Sequence, residues 1–236
     1  MKKARLLVAA ALLAVATSAS AQFTNSSSSG SSTSVGSNEG WSTFYVQYNP
    51  IKAHWEDHGE DEDYSLNGFT VGYNHAFSVS KSIPLFVETG LGLQYAMYSD
   101  EVLIGWDNTT GEDVNGDVKW NVLSLKVPVN IMYKWNIPNS KVALMPFLGL
   151  SLRFNLLANG NTTNDDYDYD EDFNMFDEDD MGEDGTWNRF QVGWQIGVNA
   201  QFNDSWLVGV SYGTDFSEIW EDTKVKTTSI TLGYCF

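Results

Sequence analysis

Few residues in this chain have the types and spacing for chemistry. Asp113-Val114-Asn115-Gly116-Asp117 sets side-chain oxygens at alternate positions, as the opening of an EF-hand or dockerin-type calcium loop requires. Val118 stands where that loop needs its glycine, and Ser124 where it needs the acidic closing ligand. Asn115-Gly116 is also the favoured pair of a type I′ hairpin. A hairpin in a surface loop is the reading favoured here, with Asp113, Asn115 and Asp117 kept as candidate metal ligands. Asp166, Asp168 and Asp170 repeat the spacing, with Glu171 at the glycine position. His54 and His58 are spaced as two imidazoles on one helical face would be for zinc, but they follow Pro50 in what reads as an exposed loop. No histidine stands beside a plausible nucleophile on a strand, so catalysis is not expected, and no cofactor is expected.

The elements that must position these residues are strands. Leu85, Val87, Leu91, Leu93 and Tyr95 alternate with Glu88, Gly90, Gly92 and Gln94, which is the period of an extended chain with two differently solvated faces. Leu123 to Trp135 alternates in the same way around Ser124, Lys126 and Asn130, as do Val142 to Asn155 and Phe190 to Phe202. Shorter versions at Trp41 to Asn49, Asn67 to Phe77, Trp206 to Tyr212 and Thr227 to Phe236 bring the count to eight strands. The connections alternate between long and short, and several strands exceed the 9 to 11 residues that cross a bilayer at a tilt, whereas soluble strands are shorter. Pro128 falls inside a strand, where it removes a ladder donor, so a bulge is expected there.

The expected fold is all-β: an eight-stranded antiparallel up-and-down transmembrane barrel. A barrel of that size is too narrow for a water channel and is filled by side chains. Glu88, Lys126 and Arg153 then point inward on three successive strands and are expected to form a neutralising lumen charge network, with a proton or ion path as the competing reading. Aromatic girdles are expected from Phe77, Trp135, Phe202 and Trp206 at the short-turn ends and from Tyr48, Tyr95, Trp120 and Trp187 near the long-loop ends, with His75 on the lipid face.

Lys2, Lys3 and Arg5, an apolar run to Ala16 and Ala19-Ser20-Ala21 read as a signal peptide over residues 1–21. Residues 22–40 read as a Ser-rich flexible periplasmic leader, and residues 41–236 as the barrel. No stretch is long and apolar enough for a membrane helix, and the single cysteine, Cys235, allows no intrachain disulfide. Removing three cationic residues with the signal moves the formal net charge from −18 to −21, which excludes nucleic acid as an expected partner. All but three of the 31 acidic residues fall between Pro50 and Ser65, Ser99 and Asp117, Ala158 and Thr186, and Thr214 and Lys224. These stretches are expected to be extended, mobile surface loops.

The terminal Ile-Thr-Leu-Gly-Tyr-Cys-Phe, with Ile230, Leu232, Tyr234 and Phe236 on one face, resembles the signature by which outer-membrane proteins are handed to the barrel assembly machinery. Leu125 to Trp135 with Met145-Pro146-Phe147-Leu148-Gly149-Leu150 is similar to the outer-membrane β-barrel domain family of Gram-negative bacteria, often labelled porin family. The resemblance covers Trp41 to Phe236 in layout and implies an integral protein of the cell outer membrane, with periplasmic termini and extracellular long loops. The expected function is noncatalytic: envelope integrity, adhesion or surface binding. An accessory role in transport or secretion is the alternative, and a lipid-modifying barrel enzyme the third reading. Expected partners are outer-membrane lipid and lipopolysaccharide, the assembly machinery, and divalent cations or cationic external ligands.

Overall fold

A computed structural model describes residues 39–57, 60–80, 82–107, 111–164 and 167–236. The expected signal peptide, nearly all of the leader, His58 and Asp166 lie outside the described residues. In chain order the elements are β1 (Trp41–Asp57), β2 (Glu60–Ser78), β3 (Leu85–Asp107), β4 (Glu112–Tyr133), β5 (Trp135–Asn136), β6 (Val142–Asn164) and β7 (Tyr169–Asn174). The helix α1 (Glu178–Gly185) follows, then β8 (Phe190–Phe202), β9 (Trp206–Asp215) and β10 (Thr223–Cys235). Neighbours pair antiparallel in the order β4-β3-β2-β1-β10-β9-β8-β6, and β6 pairs back onto β4, so eight strands close into a ring. The expected barrel is therefore the observed one. Two short strands, β5 and β7, had no counterpart in the sequence reading and add to β6 outside the ring order.

Two of the four expected surface loops are strand instead, and a third, Ala158 to Thr186, is largely the end of β6, β7 and α1. β1 pairs with β2 in unbroken register from Trp41↔Ala76 to Asp57↔Glu60, and β3 with β4 out to Asp107↔Glu112. The acidic stretches after Pro50 and after Ser99 thus project as ribbons beyond the ring. Asn115-Gly116 is not the hairpin tip: it lies within β4, paired against Leu103 and Val102. Ribbon residues can be this acidic because carboxylates such as Glu56, Asp63, Glu101 and Asp113 are exposed, while Ile51, Ala53, Leu66, Tyr98 and Val118 between them stay buried.

Pro128 produces no bulge. Its register with Ser151 on β6 is regular, and on the β3 side the ladder skips from Thr89↔Val129 to Gly92↔Lys126 without a shift. The missing N–H is accommodated by an omitted rung, because the strand keeps its other partner. Pro50 does the same between β1 and β10, where the rungs jump from Tyr48↔Ile230 to Ile51↔Thr227. The register shifts that do occur lie at Leu103/Gly105 and at Leu123/Ser124.

Outside the ring, Phe44, Val46, Leu91, Leu93, Ile131, Leu148, Ile196, Val210 and Leu232 are exposed as a continuous apolar band, which only lipid can solvate at this size. Trp135, Phe202 and Trp206 border it at the end carrying Trp41 and Phe236, the termini end of the ring. Tyr48 and Tyr95 border it at the opposite end, each donating its hydroxyl to an asparagine, Asn67 and Asn121, at 2.6 Å. Trp120 and Trp187 are not part of that border. They sit inside, where Trp120 lies 4.3 Å from Tyr98 and 5.9 Å from Trp187 between ring centroids.

The ring closes where the C-terminal residue meets β1: Phe236 and Ser42 exchange two backbone hydrogen bonds of 2.9 Å, and the Phe236 ring stacks on Phe44 at 5.4 Å. Deleting Phe236 should expose both Ser42 groups and leave protein that is protease-sensitive and no longer shifts mobility on heating in gel electrophoresis. Normal heat-modifiable barrel after that deletion would contradict the role assigned to this seam.

Candidate functional site

The inward side chains form three layers along the barrel axis. At the termini end, Ala76, Phe86, Met132, Met145, Leu207 and Cys235 pack with Trp41 and Phe147 as an apolar plug. At the opposite end, Ile51, Leu66, Tyr98, Val122, Met175, Trp187, Ile219 and Val225 form a second and larger one. Tyr64, Trp120 and Trp220 complete it, with Trp187 stacked on Trp220 at 5.1 Å. The segment between β6 and β8 supplies part of this cap: Trp187 donates its backbone N–H to Met175 at 2.7 Å, and Asn188 donates to Ile219 at 2.6 Å.

Between the plugs lies a polar layer that includes the three charges singled out from the sequence. They do not form one network. Glu88 accepts from Asn130 Nδ2 at 2.9 Å, and Gln195 donates to the same asparagine at 2.7 Å. Arg153 faces Asp215 at 3.3 Å and donates to Gln191 and Thr227 at 3.3 and 3.4 Å. Lys126 stands directly across from Arg153 in the β4–β6 register, on the same inward face. Two cations side by side need anions, and Glu88 alone would leave the interior one charge short. Asp215 supplies the balance. By sequence it falls in the fourth acidic surface stretch, just beyond a strand expected to end at Tyr212. The inward alternation Leu207, Gly209, Ser211, Gly213 continues to Asp215 at the end of β9.

Glycines make room for this layer. Gly72 and Gly92 pair with each other across β2 and β3, and Gly72 also faces Tyr45 on β1. A Cβ on Gly72 would come within 2.5 Å of the Tyr45 ring, and one on Gly92 within 2.6 Å of its hydroxyl, so both must stay small. Hydroxyls and amides fill the remainder: Thr70 donates to Asn49 at 2.6 Å, Asn49 to Ser229 at 2.7 Å and Ser124 to Asn155 at 2.7 Å. A cavity of about 40 Å³ beside Tyr45, Glu88, Lys126 and Gln195 is room for a few water molecules and no solute.

The metal candidates do not converge. Asp113, Asn115 and Asp117 occupy alternate outward positions of β4 and so span roughly 13 Å of strand, too far for all three to reach one cation at 2.3–2.6 Å. Among the described residues no group of three or more His, Cys, Asp or Glu could hold a metal ion. The helical argument for His54 has no helix to act on: His54 is in β1, and its Nδ1 lies 2.7 Å from Asp63 on β2. Lys52 donates to the other Asp63 oxygen at 2.7 Å. The hydrogen bonds from Lys52 and His54 hold the Asp63 carboxyl below the usual carboxylate range. Nearby, burial and the Glu62 carboxylate push the Tyr64 hydroxyl up to about 12. His75 points outward near the termini end, where its ring lies 4.4 Å from Phe77.

The sequence model of the outer membrane protein beta-barrel domain matches residues 7–236. Among solved structures, the chain is similar to Ail, the attachment invasion locus protein of Yersinia pestis, with 18% identity and a TM-score of 0.37 over 84% of this chain and 99% of that one. Neisserial surface protein A is similar at 15% identity and a TM-score of 0.36, over 81% and 95% of the two chains. OprG of Pseudomonas aeruginosa is similar at 11% identity and a TM-score of 0.32, over 85% and 99%. No curated protein matches the chain.

Two outcomes follow from these contacts. Asp215→Ala strands Arg153 in the interior and should cost about 3–5 kcal/mol in urea unfolding from lipid vesicles, whereas the paired change Arg153→Met with Asp215→Leu should cost much less. A double variant as unstable as the single one would show that the pair is not the operative contact. At the ribbon, a lowered carboxyl pKa contributes stability above the unfolded value and loses it as pH falls through the folded one, so the Lys52–Asp63–His54 link should hold at neutral pH and open only in acid. Lys52→Ala should raise the Asp63 pKa in an NMR titration, and an unmoved titration would contradict the contact.

Proposed function

The chain belongs to the outer membrane protein beta-barrel domain family, and from that membership we propose that it is a noncatalytic surface protein acting in envelope integrity, adhesion or surface binding. It is an integral protein of the outer membrane. In this reading both termini are periplasmic and the acidic ribbons face the exterior, after delivery by the barrel assembly machinery that reads Ile230, Leu232, Tyr234 and Phe236.

The observation that carries the reading is the sealed interior. A path through the barrel would have to cross the layer around Phe86 and Met145 and then the layer around Trp187 and Trp220, both built from buried apolar side chains. Between them Asn130 holds Glu88 and Arg153 faces Asp215, which supports reading the lumen charges as serving the fold and not conduction. What distinguishes this barrel is then its outer rim, where carboxylates such as Asp117, Asp170, Glu171 and Asp172 stand exposed. Carboxylates this dense repel one another and attract cations, so divalent ions and cationic external ligands are the partners whose chemistry fits.

Reconstituted into planar bilayers, the full chain should give no channel conductance. Discrete openings would overturn this reading in favour of a transport role. Calorimetric titration with calcium should show graded, salt-sensitive uptake without sharp stoichiometry, and a single tight site abolished by Asp113→Ala would contradict the diffuse rim.

A further inference from the structure

The outward faces of β1 and β10 change character in the same order. Along β1 the outward residues run from Val46 and Tyr48 through Lys52 and His54 to Glu56. Along β10 they run from Leu232 and Ile230 through Lys226 and Lys224 to Asp222, just before the strand. Apolar residues give way to cations, and the carboxylates come only beyond them. The register makes the cations one patch, with Lys52 directly opposite Lys226 and His54 directly opposite Lys224.

Such an arrangement is costly without a counter-ion. Like charges directly opposite on one sheet face repel. The chain has 31 acidic residues against 13 basic ones, so carboxylates are plentiful, yet only Lys52 and His54 are matched, both by Asp63. Lys224 and Lys226 have no carboxylate partner among the described residues. The patch also has a definite depth. Lys52 is four residues beyond Tyr48, roughly 13 Å along a tilted strand, which places its ammonium in the headgroup layer just past the hydrocarbon. Lysine stems can lie along the apolar surface while their charged ends reach that layer. Elsewhere on this rim Lys119 is an isolated lysine on β4, facing Ser99 and Asn161.

We propose that the β1–β10 seam is a binding site for the phosphate group of a phosphorylated lipid in the leaflet beside the acidic ribbons, held between Lys224 and Lys226 with Lys52 and His54 as the neighbouring edge. The chemistry is ammonium to phosphate, reinforced by the apolar band below that receives the acyl chains. It requires no divalent cation, which separates it from bridging between rim carboxylates and lipid phosphates. It rests on the barrel's place in the membrane and not on the surface-binding role proposed above.

The test uses the full chain folded in detergent micelles and titrated with diphosphorylated lipid A, with bound lipid read by native mass spectrometry. The wild type should retain lipid A in the presence of EDTA, and dephosphorylated lipid A should bind on the order of tenfold more weakly. Lys224→Ala with Lys226→Ala should weaken binding to a similar degree, the corresponding pair of Arg substitutions should preserve it, and Lys119→Ala should leave it unchanged. Lys226→Gln is the second variant, and heat-modifiable mobility confirms that each is folded. Equal binding of the dephosphorylated lipid, wild-type binding by the Ala pair, loss of binding in EDTA, or displacement by equimolar inorganic phosphate would each overturn the proposal.

Discussion

Hydrocarbon offers a backbone amide no hydrogen bond, and every other feature of this protein answers to that constraint. A sheet in lipid cannot have an edge within the membrane, so β10 must return to β1, and the last residue of the chain supplies the final two bonds of the seam. Closing eight strands fixes a narrow interior that side chains must fill. Because lipid claims one face of every strand for apolar residues, polar ones collect inside, where charges must balance locally. Glu88 and Asp215 together offset Lys126 and Arg153, with Asn130 holding Glu88 and Arg153 facing Asp215. The two proline sites show how little slack the constraint leaves: each gives up a rung on one side only while its other neighbour keeps the register.

The membrane-spanning part was legible in the sequence because two solvents of opposite character print a period of 2 on each strand. Leu91, Leu93 and Tyr95 against Gly92 and Gln94 could not be read otherwise. Beyond the membrane the outward face meets water, the contrast reverses, and Asp, Glu and Ser look like loop. The ribbons after Pro50 and Ser99 were misread for that reason, although Tyr64, Leu66, Val102 and Val118 keep the alternation inside them. Trp120 and Trp187 were assigned to the lipid border on residue type, since tryptophan favours interfaces. Parity places Trp120 inward on β4, between Val118 and Val122, and the fold of the β6–β8 connection, which no local pattern encodes, buries Trp187.

The candidate lumen site was legible in composition but not in pairing. Three inward charges could be named from alternation alone, whereas their partners depend on which strands meet across the ring and at what stagger. Asp215 belongs to the interior only because β9 runs three residues past Tyr212. The lysine patch was invisible for the same reason. Lys52 and Lys226 are far apart in sequence and become neighbours only through the closing seam.

The central claim is that the interior is sealed at both ends and that function therefore resides on the outside. Replacing Ser124, buried between the two plugs, by cysteine in a Cys235→Ser background places one thiol in the polar layer. The rate at which a small hydrophilic thiol reagent modifies it, added to either side of vesicles holding the folded barrel, measures access directly. The account predicts no modification from either side on a timescale that fully labels the unfolded chain. Rapid labelling from either side would contradict it.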